Sequence, residues 1–225
     1  MPLRNACFIS YRHGQYELMK EFITDFCDAL SGELEPMLRH GGVYLDHHRL
    51  RGGDFYNQAL ARNLFESATM VMVYTPTYFD SEHTYCAREY AAMAALEERR
   101  IALLQGAGKT PHGLIIPIIL RGARYLPEEI KLHRQYHDFE GFQLGSRRLS
   151  RHPRFAPVVR DIAGYICERF QELEDLPSDT FEGGDTFQLP EESAILALLG
   201  AAGCFRLPFP RGEISCQPQV LSARS

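Results

Sequence analysis

One stretch decides the fold of this chain: Ser81-Glu82-His83-Thr84-Tyr85-Cys86-Ala87-Arg88-Glu89-Tyr90-Ala91-Ala92-Met93. It follows an apolar run, residues 69–75, which is typical of a buried strand. Ser81 or Thr84 is suited to cap a helix, and the Ala-rich and Glu-rich sequence beyond predicts that the helix continues to about Arg100. The stretch therefore predicts a strand, a loop and a helix in succession.

The predicted helix carries a carboxylate inside an apolar stripe. At roughly 100° per residue, one face holds Tyr85, Glu89, Ala92, Met93 and Leu96. A carboxylate in such a stripe must find a partner, titrate at an altered pH or face a cleft. Two interpretations stay open on this stretch alone. Glu89 is either a partly exposed residue paired with an arginine or a member of a functional site.

The composition is that of an ordinary globular protein: 225 residues, 45% hydrophobic and 24% charged, with a net charge of −5. It fits one domain with an appendage, or at most two small domains. The mild acidity gives no footprint for nucleic acid or an anionic membrane. No apolar run reaches the ~18 residues of a membrane span, and no signal peptide is recognised. The six cysteines lack metal-binding spacing, so we expect reduced thiols in a cytoplasmic protein.

Strands and helices alternate along the chain. Strands are predicted over residues 6–11, 43–46, 69–75, 113–120 and 136–139. Helices are predicted over residues 16–38, 55–68 and 155–173, with a helical turn at 126–130, in addition to the helix that carries Glu89. This alternation predicts an α/β fold, in which right-handed βαβ crossovers build a parallel sheet covered on both faces. The nearly continuous apolar strands fit that burial.

In sheets of this kind the ligand site lies beyond the carboxyl ends of the strands. Three segments fall at that edge: Ser10-Tyr11-Arg12, residues 46–53 and residues 76–89. The sequence therefore predicts that Glu89 lies where a site is expected.

The composition changes after about Asp175. We expect one domain over residues 1–175, followed by a linker and a C-terminal extension over residues 176–225. The extension contains a short apolar helix, predicted over residues 194–202. Such a helix is seldom left in water, so we expect it to dock on this chain, with a partner protein as the alternative.

Other motifs carry little weight. Gly106-Ala107-Gly108-Lys109-Thr110 mimics the end of a phosphate loop, but position 103 is Leu103 and a helix precedes the motif. His133 and His137 straddle an element boundary, and we predict no metal and no cofactor. A phosphoacceptor receiver requires paired acids after its first strand, where this chain has Ser10-Tyr11-Arg12.

Four motifs resemble the Toll/interleukin-1 receptor (TIR) domain family, over about residues 6–173. They are Phe8-Ile9-Ser10-Tyr11-Arg12 as the opening box, Val43-Tyr44-Leu45-Asp46 with Leu50-Arg51-Gly52-Gly53-Asp54 as the second strand and BB loop, Ser81 to Tyr85 with Glu89 as the Ser–aromatic–Glu pattern of NAD-cleaving members, and Tyr136-His137-Asp138-Phe139 as a late strand. The resemblance implies a flavodoxin-like fold with a central parallel five-stranded sheet. Tyr85 stands where many members have Trp, and Gly52-Gly53 where many have Pro-Gly.

The resemblance also implies an activity, that of a bacterial NAD-cleaving enzyme. Such an enzyme breaks the nicotinamide–ribose bond of NAD+, its substrate, and releases ADP-ribose or a cyclic isomer in anti-phage defence or cell death. Glu89 is then the catalytic carboxylate. Roles in substrate binding are implied for Phe8, Ser10, Tyr11, Arg12, Asp46, Arg49, Leu50 and Tyr85.

The competing interpretation is a non-catalytic scaffold that assembles with other TIR domains. Self-association is expected in both cases, and a partner sensor or effector protein fits either. A carboxylate on an apolar helix face favours the enzyme, because a scaffold has no need to bury a charge there.

We predict that NAD+ cleavage rises more steeply than linearly with protein concentration. In the resembled family the loop at residues 46–54 meets a neighbouring domain and completes the pocket, so Leu50→Glu should reduce assembly and activity together. Nicotinamide release across a dilution series, run beside sedimentation velocity, measures both. Constant specific activity from a chain that stays monomeric would exclude this dependence.

Overall fold

The computed structural model describes residues 3–14, 17–45, 53–142, 152–176 and 186–200, together with Leu149 and Gly184. The strands are β1 (Asn5–Tyr11), β2 (Val43–Leu45), β3 (Ser67–Tyr74), β4 (Ile115–Ile119) and β5 (His137–Asp138). The α-helices are α1 (Glu17–Leu34), α2 (Gly53–Phe65), α3 (Tyr85–Gly106), α4 (Glu128–His133), α5 (Phe155–Glu174) and α6 (Glu192–Gly200), and a 3-10 turn spans Ala123–Tyr125. None of the helices in these ranges is long and apolar enough to cross a membrane.

The strands form one sheet in the order β2-β1-β3-β4-β5, and every neighbouring pair is parallel. α1 packs with α5 and α2 packs with α3, which is the arrangement expected when right-handed crossovers cover the two faces of a parallel sheet. All eight residues of β3, at the centre, are buried. The predicted fold class, a flavodoxin-like α/β domain, is confirmed.

Several boundaries differ from those predicted. The first helix ends at Leu34 rather than at residue 38, because Pro36, two residues further on, has no backbone N–H to continue it. The second ends at Phe65, and β3 already begins at Ser67. The third continues beyond Arg100 to Gly106.

Arg100 explains two of these differences. Its buried guanidinium donates to the carbonyl oxygens of Phe65 (2.5 Å) and Ser67 (2.6 Å). These carbonyls lie at the end of α2 and the start of β3, so Arg100 supplies hydrogen-bond donors on both sides of the turn between them. The sequence predicted that α3 ends at about Arg100, but Arg100 lies inside the helix. Its bond to the Phe65 carbonyl holds the end of α2.

A second buried charged residue, Glu97, joins α3 to the start of β4 and to the residue that follows α4. Glu97 pairs with Arg134 at 2.6 Å, and its other oxygen accepts the backbone N–H groups of Leu114 (2.5 Å) and Ile115 (3.1 Å). Arg134 also donates to the Tyr90 hydroxyl at 2.8 Å. A buried pair of this kind fixes geometry more than it adds stability, but removing one partner leaves the other uncompensated.

The part of the C-terminal extension that the structure describes, residues 186–200, packs back on this chain, as its apolar sequence predicted. Ile195 of α6 is 1% exposed, and the rings of Phe187 and Phe65 lie 5.3 Å apart. Two bonds join the extension to the start of α3: Arg88 Nε donates to the Pro190 carbonyl at 2.7 Å, and Thr84 Oγ1 donates to Glu192 Oε1 at 3.1 Å. The helix begins two residues earlier than predicted, at Glu192.

Glu97→Ala should lower the free energy of unfolding by on the order of 3–5 kcal/mol, because it leaves Arg134 buried without its carboxylate. Chemical denaturation measures this change. Glu98→Ala, one residue along on the exposed side of α3, is the matched control and should lie within about 0.5 kcal/mol of wild type. Equal losses in the two variants would show that the buried pair does not anchor the helix.

Ile195→Asp should undock α6, because a carboxylate cannot replace a buried apolar side chain without a large penalty. We expect increased binding of an apolar dye and a melting temperature lower by roughly 4–8 °C. Leu196→Asp introduces the same charge at a neighbouring position that is 39% exposed, and it should leave both readouts near wild type. If the two variants behaved alike, the docking of α6 would contribute nothing to the fold.

Candidate active site

The site lies at the carboxyl edge of the two central strands. β1 and β3 are parallel neighbours, and Tyr11 at the end of β1 pairs in register with Val73 of β3. The segments that follow both strands therefore leave the sheet side by side. The chain after β3 forms a short turn and then enters α3 at Tyr85, so the first turns of α3 lie over the end of β1.

Ser10 and Glu89 form the centre of this site. The Ser10 hydroxyl donates to Glu89 Oε2 at 2.5 Å, and the two residues are only 1% and 8% exposed. Glu89 lies in the second turn of α3, close to the point where the helix begins. The partial exposure that the first interpretation expected for Glu89 is wrong, because the side chain is buried, and the membership of Glu89 in a functional site stays a prediction.

Tyr78 lies directly behind this pair, and sequence reasoning missed it. Its hydroxyl is 2.6 Å from Ser10 Oγ, and its side chain is fully buried. Burial, reinforced by nearby Cys86 and Glu89, raises the pKa of Tyr78 well above its ordinary value. The available signal was an aromatic residue in the short turn between β3 and α3, within a segment already expected at the site.

The end of β1 supplies three more of the predicted site residues. Arg12 Nη2 lies 3.9 Å from Asp80 Oδ2, which places a cation beside the turn after β3. The half-buried ring of Tyr11 stacks on His13, with centroids 4.4 Å apart. Phe8 is fully buried beneath Ser10 on the same face of β1 and stacks on Tyr44. Phe8 therefore supports the site from the core and offers no exposed surface to a ligand.

The first turn of α3 connects the site to the C-terminal extension. Tyr85 is 43% exposed, and the Arg88 guanidinium lies 5.4 Å from the centre of its ring. Thr84 occupies the N-cap position, but its side chain makes no capping bond and donates instead to Glu192. The prediction that a Ser or Thr side chain caps this helix is therefore wrong, because the hydroxyl of Thr84 has an acceptor in the extension.

Asp46, Arg49 and Leu50 lie outside the described residues. They follow β2, which ends at Leu45 beside β1 at the same edge of the sheet. Their assignment to the site stays a prediction.

The side chains described at this site can act on a ligand through hydrogen bonds and through their charge. Among them, no group of three or more His, Cys, Asp or Glu side chains is placed to hold a metal ion. Burial raises the pKa of Cys7 and of Cys27 to about 12, so these thiols stay protonated and are poor nucleophiles. A buried carboxylate held by a hydroxyl is suited to stabilise positive charge on a substrate.

The fold belongs to the flavodoxin-like class of open α/β sheets, in which ligands generally bind beyond the carboxyl ends of the strands. The model of the TIR domain family matches residues 7–152, more than half of the chain, and the chain belongs to that family. The family includes NAD-cleaving members. No curated protein matches the chain.

Proposed function

We propose that this chain is a TIR-domain NAD+ glycohydrolase or cyclase that breaks the bond between nicotinamide and ribose. The observation that carries the proposal is the buried Glu89 carboxylate, held by Ser10 at the carboxyl edge of the sheet. Membership of a family that includes NAD-cleaving proteins supplies the substrate class. NAD+ is consumed in this reaction, so it acts as a substrate and not as a cofactor.

The chemistry of the scissile bond suits a single carboxylate. Nicotinamide is bound to ribose as a cation, so the bond breaks with its electron pair going to the ring nitrogen and no acid is required. The ribose then develops oxocarbenium character, which Glu89 stabilises by its charge or by accepting bonds from ribose hydroxyls. Water adds to C1′ and loses a proton to give ADP-ribose, while attack by a nucleophilic atom of the same molecule gives a cyclic isomer.

The surrounding groups fit the rest of a dinucleotide. Arg12, held near Asp80, supplies a guanidinium of the kind that binds a pyrophosphate. Tyr11 and the exposed Tyr85 supply rings suited to stacking on a base. Self-association through TIR–TIR contacts would bring the loop that contains Arg49 and Leu50 to the pocket. In this proposal the enzyme acts in anti-phage defence or cell death, and a partner sensor or effector connects it to the trigger.

A scaffold that only assembles with other TIR domains is the second candidate. Exposed apolar side chains near α4 favour it, since Tyr125 and Leu132 are 58% and 57% exposed, and such residues suit contacts between domains. The buried carboxylate favours the enzyme, because a charge removed from water at a ligand-binding edge contributes nothing to assembly.

Glu89→Gln should reduce nicotinamide release by on the order of 10²-fold or more, because the amide keeps the shape of the side chain but lacks its charge. Chromatography of NAD+ reactions at equal protein concentration measures the loss. Glu82→Gln makes the same change at an exposed position in the turn before α3, and it should retain the wild-type rate.

The melting temperature of each variant shows whether the comparison is fair. A folded Glu89→Gln chain that cleaves NAD+ at the wild-type rate would contradict the catalytic assignment. A wild-type chain that assembles but releases no nicotinamide would favour the scaffold.

A further inference from the structure

A chain of two hydrogen bonds ends at the carboxylate assigned above to catalysis. It begins at the hydroxyl of Tyr78, passes through Ser10 Oγ at 2.6 Å and reaches Glu89 Oε2 at 2.5 Å. The three residues come from three different parts of the fold: the turn after β3, the end of β1 and the second turn of α3.

The direction of this chain follows from counting protons. An ionised carboxylate only accepts hydrogen bonds, so Ser10 must donate its single proton to Glu89. The Ser10 oxygen can then only accept from its other neighbour, and Tyr78 must be the donor. With the proton of Tyr78 in place, the Ser10 hydroxyl has one favourable orientation, toward the carboxylate.

We infer that Tyr78 is a positioning residue, which acts through Ser10 to hold the Glu89 carboxylate in its catalytic orientation. This inference rests on the function proposed above. Bonds in such a chain polarise one another, so donation by Tyr78 strengthens the bond from Ser10 to the carboxylate. A preorganised carboxylate needs no reorientation when charge develops on the ribose.

The surroundings of Tyr78 keep its hydroxyl protonated, so that it can always donate a hydrogen bond to Ser10. Its ring packs edge-to-face on Phe79 at 4.9 Å and lies 6.4 Å from the ring of Tyr74. The ionisable groups that act on its hydroxyl are Cys86, Glu89 and Tyr90 of α3. The other charged groups at this edge are the pair formed by Arg12, after β1, and Asp80, in the turn after β3. Because burial raises the pKa of Tyr78 well above its ordinary value, the hydroxyl keeps its proton across the working pH range.

Tyr78→Phe tests this role, with Tyr74→Phe as the matched control. Both remove one hydroxyl from a buried ring, but the hydroxyl of Tyr74 donates to the Tyr125 carbonyl at 2.7 Å and takes no part in the bonds from Tyr78 through Ser10 to Glu89. Tyr78→Phe should lower kcat on the order of tenfold, change KM less than about twofold and move the acid limb of the pH–rate profile to higher pH. The control should leave KM and the acid limb unchanged. Identical kcat values and pH profiles in the two variants would overturn the inference.

A second readout needs no turnover. A ¹³C NMR titration of the Glu89 carboxyl, assigned with Glu89→Gln, follows its protonation directly. Tyr78→Phe should move the midpoint up by on the order of half a pH unit, because a donor to the charged form is weakened. Ser10→Ala should move it further, and the double variant should match Ser10→Ala alone, since Tyr78 acts only through Ser10. A midpoint unchanged by Tyr78→Phe, or additive shifts, would overturn the inference.

Two further outcomes separate the role of Tyr78 from the proposed function and from the stability of the variant. If wild type releases no nicotinamide but the midpoints shift as described, the proposed function fails and the hydrogen-bond chain stands. If Tyr78→Phe does not fold, 3-fluorotyrosine placed at position 78 preserves the ring and makes the phenol a stronger donor. That substitution should move the midpoint to lower pH, and an unchanged midpoint would contradict the role of Tyr78.

Discussion

The candidate site depends on one buried hydrogen bond, from the Ser10 hydroxyl of β1 to the Glu89 carboxylate of α3. A carboxylate removed from water is costly unless fixed donors and dipoles replace its hydration. Here the Ser10 hydroxyl supplies a fixed donor to the carboxylate, and the Tyr78 hydroxyl contacts Ser10 in turn. The parallel order of β1 and β3 makes this possible, because it brings the end of one strand under the helix that follows the other.

The position of α3 is in turn fixed along its length by arginines. Arg88 donates to the Pro190 carbonyl near the start, Arg100 to the Phe65 carbonyl further along, and Arg134 pairs with Glu97 between them. Each joins α3 to a different segment, respectively the extension, the end of α2 and the residues after α4. Electrostatic stabilisation requires a carboxylate to be held within about 0.5 Å of its productive position, and these contacts restrain the helix that carries Glu89.

The fold could be predicted from the sequence because it rests on alternation of strands and helices and on four ordered motifs. The sequence proposed Glu89 as a site residue because a carboxylate in an apolar stripe breaks the pattern of its helix, and Ser10 because it ends an apolar strand at the same edge of the sheet. The structure joins the two side chains by a hydrogen bond, and their roles stay predictions. Tyr78 could not be found in this way, since a tyrosine in a turn is ordinary until its hydroxyl partner is known. The length of α3 depends on Arg100, which bonds to the distant Ser67 carbonyl. Thr84 makes no capping bond because its hydroxyl donates to Glu192, which is also distant in sequence.

The central claim is that Glu89 faces the ribose of bound NAD+, and a crystal structure of the full chain with a carbocyclic NAD+ analogue tests it most directly. The ring carbon that replaces the ribose oxygen prevents cleavage, so the complex persists. We expect a ribose hydroxyl within about 3.2 Å of the Glu89 carboxylate, with the bond from Ser10 retained. A dinucleotide bound elsewhere on the chain, with Glu89 still covered by its own neighbours, would contradict the claim.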